Sequence, residues 1–250
     1  MVKIGIIGGS GLDDPKIMKD YDEIDGNTPY GKPSSKLTRG KIGGVDVVIL
    51  ARHGTDHSIM PTKVNYRANV LSLKDEGCTH ILATTAVGSL REEIKPGNIV
   101  FPDQFIDFTK HRNLTFYEEK VIHTPMSEPF DKNVRDILCQ TCDQLGFAYN
   151  RDKVVVTIEG PRFSTRAESH MFRMWGADVI NMSTVPEVIL ASEVGIPYQT
   201  IAMSTDYDCW KADEEPVTFE MILERMKENS EKVKMLLIEA IPGIKGIVCQ

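Results

Sequence analysis

Positive charge is not in excess in this 250-residue chain: 29 Lys and Arg face 36 Asp and Glu, for a net charge of −7. That argues against a nucleic-acid binder, which needs a basic face. No apolar run reaches ~18 residues, so no membrane span is expected. The amino terminus, Met1 to Gly9, is too short and too glycine-rich for a secretory signal and reads as a first buried strand. Cysteines number five, an odd count, at 78, 139, 142, 209 and 249. That spread suits a reducing, cytoplasmic compartment better than a disulfide framework. Cys139 and Cys142 fall one turn apart in a helical pattern. They read as packing cysteines rather than as a zinc or redox pair, because no second Cys/His pair has ligand spacing. Low-complexity segments, internal repeats and linker-like composition shifts are absent, so residues 1–250 are read as one domain. No metal-ligand spacing, Ser-His-Asp or Cys-His arrangement is evident.

What the chain does have is alternation. Short apolar runs near 3–7, 45–51, 80–85, 98–102, 154–158, 179–182 and 198–203 interleave with helical patterns near 66–76, 131–145, 165–175, 186–193 and 218–241, which is the α/β signature. In the last pattern, Met221, Ile222, Met226, Val233, Leu236 and Leu237 recur at three- and four-residue steps. Thr218 is placed to cap that helix and Pro242-Gly243 to stop it. Residues 105–123 are aromatic, charged and irregular, and read as a functional loop.

Five constellations sit where strands end. Gly5-Ile6-Ile7-Gly8-Gly9-Ser10-Gly11 offers backbone N–H groups and one hydroxyl for an anion, or is a plain tight turn. A dinucleotide fingerprint fails because Asp14 stands where the third glycine belongs. Ala51-Arg52-His53-Gly54 offers a guanidinium that can fork onto phosphate, with His53 as a further donor, or is simply surface. Thr84 to Ser89 adds hydroxyls beside a glycine turn. Glu159 to Glu168 carries Phe163, which can stack on a flat heterocycle. Its Arg162 and Arg166 can equally pair with Glu159 and Glu168. Asn181 to Glu187 places Ser183 either to cap a helix or to touch an anion, and Met182 as a soft apolar surface for a sugar. His80 reads as structural; His57 and His123 lie in loops and could meet substrate.

The most informative segment is Asp206-Tyr207-Asp208, which ends the run from Tyr198. If the strand stays extended, residues two apart point the same way. Two close carboxyls rarely both stay ionised. One can then donate to a purine N7 while the other accepts from an exocyclic amine. The bland alternative is a solvated acidic turn.

Taken in order, the marks Gly8-Gly9-Ser10-Gly11-Leu12, Ala51-Arg52-His53-Gly54, Val64 to Asn69, Asp103 to Asp107, Thr157 to Ser164, Arg166 to Ser169, Asn181 to Glu187 and Thr205 to Asp208 resemble the trimeric purine nucleoside phosphorylase superfamily. The nearest match is to its members that cleave S-methyl-5′-thioadenosine, and it runs over nearly the whole chain. The resemblance implies a three-layer α/β/α sandwich with a central mixed, partly barrel-like sheet, a homotrimer, and no cofactor beyond inorganic phosphate as co-substrate. It implies that Ser10, Arg52, His53, Thr85, Ala86 and Ser183 hold phosphate. Met182 then meets the sugar, Phe163 lies against the base, and Asp206 and Asp208 read the base, with Asp206 the general acid at N7. Ser164 and Phe219 stand at positions tied to substrate choice, and the segment of His123 reaches a neighbouring subunit's sugar pocket. Members that prefer 6-oxopurines carry Asn where a carboxylate stands here, so the dyad implies adenine. A broader enzyme acting on adenosine or inosine is the alternative reading.

Overall fold

The structure is a computed structural model that describes residues 1–9, 17–211 and 219–246. Its centre is β1 (Lys3–Gly8), which pairs in parallel with β4 (Val45–Ala51) on one side and β5 (His80–Ser89) on the other. Such strands are covered on both faces, which is why they read as unbroken apolar runs. Successive side chains still alternate: Ile6 packs into one core and Ile7 into the other. The sheet continues through β2 (Lys19–Ile24), β3 (Leu37–Ile42), β6 (Ile99–Phe108), β7 (Tyr149–Ile158), β8 (Val179–Asn181) and β9 (Tyr198–Asp206), in the order β2-β3-β4-β1-β5-β8-β7-β6-β9. Because β9 also pairs in parallel with β5, the last five strands close on themselves. The sheet is therefore mixed and partly barrel-like, as expected.

Helices cover both faces. α1 (Tyr66–Asp75) and α4 (Thr184–Glu193) pack together over the core of Ile7, Leu50, Val70 and Val188. α2 (Lys132–Leu145) and α5 (Phe219–Ile244) pack together over the core of Ile6, Leu138, Leu237 and Ile241. α3 (Arg166–Met174) covers a third, smaller cluster around Phe172 and opens on a Thr165–Glu168 capping box. Cys139 and Cys142 are buried in the α2–α5 core, where burial pushes their thiols up to about 11 and about 12. They are packing residues.

Three expectations need correction. The β2–β3 hairpin went unforeseen. β2 reads Lys-Asp-Tyr-Asp-Glu-Ile and is exposed almost throughout, so it has no apolar alternation; its charges suit an edge strand. Residues 105–108 of the expected loop belong to β6, paired with Val155 to Ile158 of β7. Finally, Pro242 does not end α5, which runs to Ile244. A proline forfeits one hydrogen bond, and tertiary packing offsets it here: the Pro242 ring sits so close to Gly43 that a side chain there would collide with it. Thr218 lies outside the described residues. Among those described, no helix is long and apolar enough to cross a membrane.

Candidate active site

The C-terminal ends of β4, β8 and β9, the turn after β7 and the later half of β5 meet around a cavity of about 190 Å³. Strand ends of this kind are where ligands bind in α/β sheets. Of the residues singled out from the sequence, Arg52, His53, His57, Thr85, Ala86, Phe163, Ser164, Met182, Ser183, Asp206 and Asp208 line it. Ser10 lies outside the described residues. Phe219 opens α5, but its side chain is likewise outside them. His123 is exposed and does not line the cavity of its own chain.

Arg52, Thr85 and Ser183, three of the residues expected at an anion, line one part of the cavity. Arg52 follows β4, its backbone N–H donating to Gly8 O at 3.0 Å. The residue is 1% exposed, and its fork is taken: Nε donates to Glu187 Oε1 at 2.5 Å, Nη2 to Glu187 Oε2 at 2.9 Å and Nη1 to Thr84 O at 2.8 Å. The expected bidentate grip on phosphate thus belongs to Glu187, and one hydrogen on each of Nη1 and Nη2 is left. Gly9 permits this packing, since a Cβ there would come within 3.1 Å of Thr84 O. Ser183 precedes α4 but makes no side-chain cap; its hydroxyl meets Thr85 Oγ1 at 2.7 Å, so of its two readings the cap is excluded.

His53 departs from expectation. Its Nδ1 lies 2.8 Å from Ile59 O, and a carbonyl only accepts, so Nδ1 carries the hydrogen. Burial first, then the charge of Arg52, hold its pKa down at about 4. The neutral ring therefore has its donor committed to Ile59, and Nε2 is an acceptor. His57 also lines the cavity and packs against His53, with ring centroids 4.6 Å apart and the planes tilted by 41°.

The other end carries the acidic pair. The strand does not stay extended through it: β9 stops at Asp206, and Asp208 lies in a short 3-10 turn with φ of 49°. Asp208 N–H donates to Asp206 Oδ1 at 2.7 Å, so the turn rather than the strand's period brings both carboxyls to one cavity. Gly88 makes room, because a Cβ there would lie 3.0 Å from Asp206 Oδ1 and 3.3 Å from Asp208 Cβ. Burial, and next to it the charge of Asp208, push the Asp206 carboxyl above its ordinary value; hydrogen bonds from Thr205 and the Asp208 N–H offset this only in part. Oδ1 is occupied by an N–H that only donates, so a proton on Asp206 belongs on Oδ2. There Thr205 Oγ1 lies at 2.7 Å, with Val87 O at 3.2 Å on its other side. The hydroxyl can donate to an ionised Asp206, or turn to Val87 and accept from a protonated one. Ser164 Oγ donates to Asp208, 2.8 Å from either carboxylate oxygen.

The rim is apolar. Phe163 is 44% exposed at the mouth. Met182 packs so close to Gly160 that a Cβ there would lie 2.5 Å from its sulfur. Arg162 pairs with Glu168 at 2.6 Å, the ion-pair alternative of its two readings. Glu159 instead accepts from Lys110 N at 2.6 Å and His111 N at 3.0 Å, and pairs with buried Arg112 at 3.3 Å, pinning the segment after β6. Sequence reasoning missed Glu187 and Thr205. Glu187 had a signal: a carboxylate inside the apolar stretch Val185 to Leu190 has to be paired with a cation. No group of His, Cys, Asp and Glu among the described residues could hold a metal ion.

The sequence profile of the phosphorylase superfamily matches residues 3–242. The chain belongs to the phosphorylase superfamily. Within it, this phosphorylase is 58% identical to the S-methyl-5′-thioadenosine phosphorylase of Danio rerio over 249 residues, covering 97% of this chain and 89% of that protein. The enzyme of the same name from Drosophila melanogaster is 53% identical over 249 residues, covering 97% and 86%. Among solved structures, methylthioadenosine phosphorylase from Schistosoma mansoni in complex with adenine superposes with a TM-score of 0.95 at 45% identity, covering 99% of this chain and 93% of that one. A mutant of the adenosine/methylthioadenosine phosphorylase of the same organism, in complex with methylthioadenosine, gives a TM-score of 0.94 at 44% identity, covering 99% and 93%.

Proposed function

We propose that this phosphorylase cleaves S-methyl-5′-thioadenosine with inorganic phosphate, releasing adenine and 5-methylthio-ribose 1-phosphate for purine and methionine salvage. The observation that carries the reading is one cavity with Arg52, Thr85 and Ser183 at one end and Asp206, Asp208 and Ser164 at the other. Relatives at 58% and 53% identity bear that enzyme's name.

Phosphate attacks the anomeric carbon as the glycosidic bond breaks, and the bonding electrons flow into the purine. Positive charge grows on the sugar and negative charge on the base. A protonated Asp206 meets that demand as general acid at N7. Asp208, oriented by Ser164, accepts from the 6-amino group. The remaining Arg52 hydrogens and the Thr85 and Ser183 hydroxyls hold phosphate, with the backbone of Ala86 beside them. Phe163 covers the base and Met182 the sugar. The chemistry asks for no cofactor.

Assembly as a homotrimer fits the exposed Val121-Ile122-His123 segment, 78% and 45% exposed at its two apolar residues, which a neighbouring subunit would cover. Cys78, Cys139 and Cys142, buried as free thiols, suit the reducing cytoplasm. A second reading, cleavage of adenosine as well, is favoured by the Schistosoma mansoni relative named for both substrates.

A panel of methylthioadenosine, adenosine, inosine and guanosine, each with and without phosphate, tests the proposal. Methylthioadenosine should be cleaved only with phosphate. Equal rates in phosphate-free buffer would exclude phosphorolysis.

A further inference from the structure

Glu187 is fully buried, yet it does not line the cavity. Its two oxygens take the Nε and Nη2 hydrogens of Arg52, and Tyr198 Oη is the carboxylate's third donor, reaching Oε2 at 3.0 Å. Tyr198 is itself buried and receives Thr200 Oγ1 at 3.4 Å. The carboxylate rides on α4, the helix whose preceding residue, Ser183, faces the cavity. One segment therefore carries both a wall of the anion end and the group that orients its guanidinium. A buried ion pair is weak evidence for stability, because desolvation offsets its attraction; its better-attested use is to fix geometry.

We propose that Glu187 is a positioning residue of this active site. It acts through Arg52, holding the guanidinium so that one hydrogen on Nη1 and one on Nη2 are left for an oxyanion, with Tyr198 steadying the carboxylate from behind. Without it the guanidinium could rotate about its side chain and lose that register. The inference rests on the phosphorolysis reading, because it assigns the oxyanion to phosphate.

The test compares wild type, Glu187→Gln and Tyr198→Phe by steady-state kinetics at varied phosphate, with the adenine Kd measured by calorimetry on the same samples. Glu187→Gln should raise the phosphate KM about tenfold, the scale of one lost oriented charge-assisted contact, with a smaller fall in kcat. Its adenine Kd should stay within about twofold, because the base end does not share these groups. Tyr198→Phe, which keeps the ion pair, should move the phosphate KM in the same direction by about two- to threefold. A folded Glu187→Gln with wild-type phosphate KM, one with a lower phosphate KM, or one that weakens phosphate and adenine equally overturns the inference. If Glu187→Gln does not fold, Tyr198→Phe decides, and an unchanged phosphate KM there overturns it. Wild-type cleavage that ignores phosphate would mark failure of the phosphorolysis reading instead.

Discussion

At the anion end of the cavity, a buried cation meets a buried anion inside the protein; at the purine end, two carboxyls are held by hydroxyls and a backbone N–H. Arg52 and Glu187 pair with one another inside the protein. Asp206 and Asp208 have Thr205, Ser164 and the turn itself as hydrogen-bond partners. The first arrangement fixes geometry while cancelling most of the local charge. The second leaves Asp206 pushed above its ordinary carboxyl value, chiefly by burial, which is the direction a general acid at a leaving purine needs. Reading either end by formal charge alone would mislead: the Arg52 charge is countered by Glu187, and the acidic end has one carboxyl raised above its ordinary value.

The largest expected effect is at the proton. Asp206→Asn should lower turnover on methylthioadenosine about 10²- to 10⁴-fold, the usual contribution of a general acid, with the phosphate KM nearly unchanged. The loss should be far smaller on inosine, and an unchanged adenosine-to-inosine preference would remove the purine end from the comparison. Next comes Arg52→Ala. It should raise the phosphate KM by about 10- to 100-fold while adenine affinity stays similar. It should also destabilise the fold by about 3–5 kcal/mol, because Glu187 is left as an uncompensated buried charge. A thermal melt reads the second effect independently of the first.

Ser164→Ala should be milder, weakening adenine about three- to tenfold in a calorimetric titration through loss of one oriented hydrogen bond. An equal weakening of phosphate would show that the two ends are not separable. The smallest expected effect is none at all. His53 titrates at about 4, because burial and then Arg52 disfavour its cation. The neutral ring is present at all pH above that value, and a proton is gained only as pH falls through it. Once the ionisation of phosphate itself is allowed for, the phosphate KM should show no inflection near pH 6.5, where an ordinary histidine titrates. Turnover should instead fall as pH rises through the Asp206 pKa, since that step removes the proton the base needs.

Much of this site was legible in the sequence because its parts sit where apolar runs stop. Arg52, Ser183 and Asp206 each follow or end a strand, and strand ends converge in this architecture; Thr85 instead lies within β5, which runs on through Gly88 to Ser89 where a glycine turn was expected. The partners were not legible, since pairing across the fold leaves no local pattern: Glu187 is 135 residues from Arg52. Nor was the way Asp208 reaches the cavity, because a left-handed turn replaced the strand's alternation. The donor assignment to His53 failed because the carbonyl that fixes its tautomer belongs to Ile59, in a loop of irregular conformation. The β2–β3 edge was hidden for another reason: exposed charged strands are defined by their neighbours, not by their composition.

One titration bears most directly on the central claim. With aspartate carboxyls labelled with carbon-13, the resonance missing from Asp206→Asn identifies Asp206, and its chemical shift against pH in the free protein reports the proton. The expected result is a carboxyl that titrates above the ordinary aspartate value of 3.8. A resonance that titrates at or below that value would contradict the assignment of Asp206 as the acid.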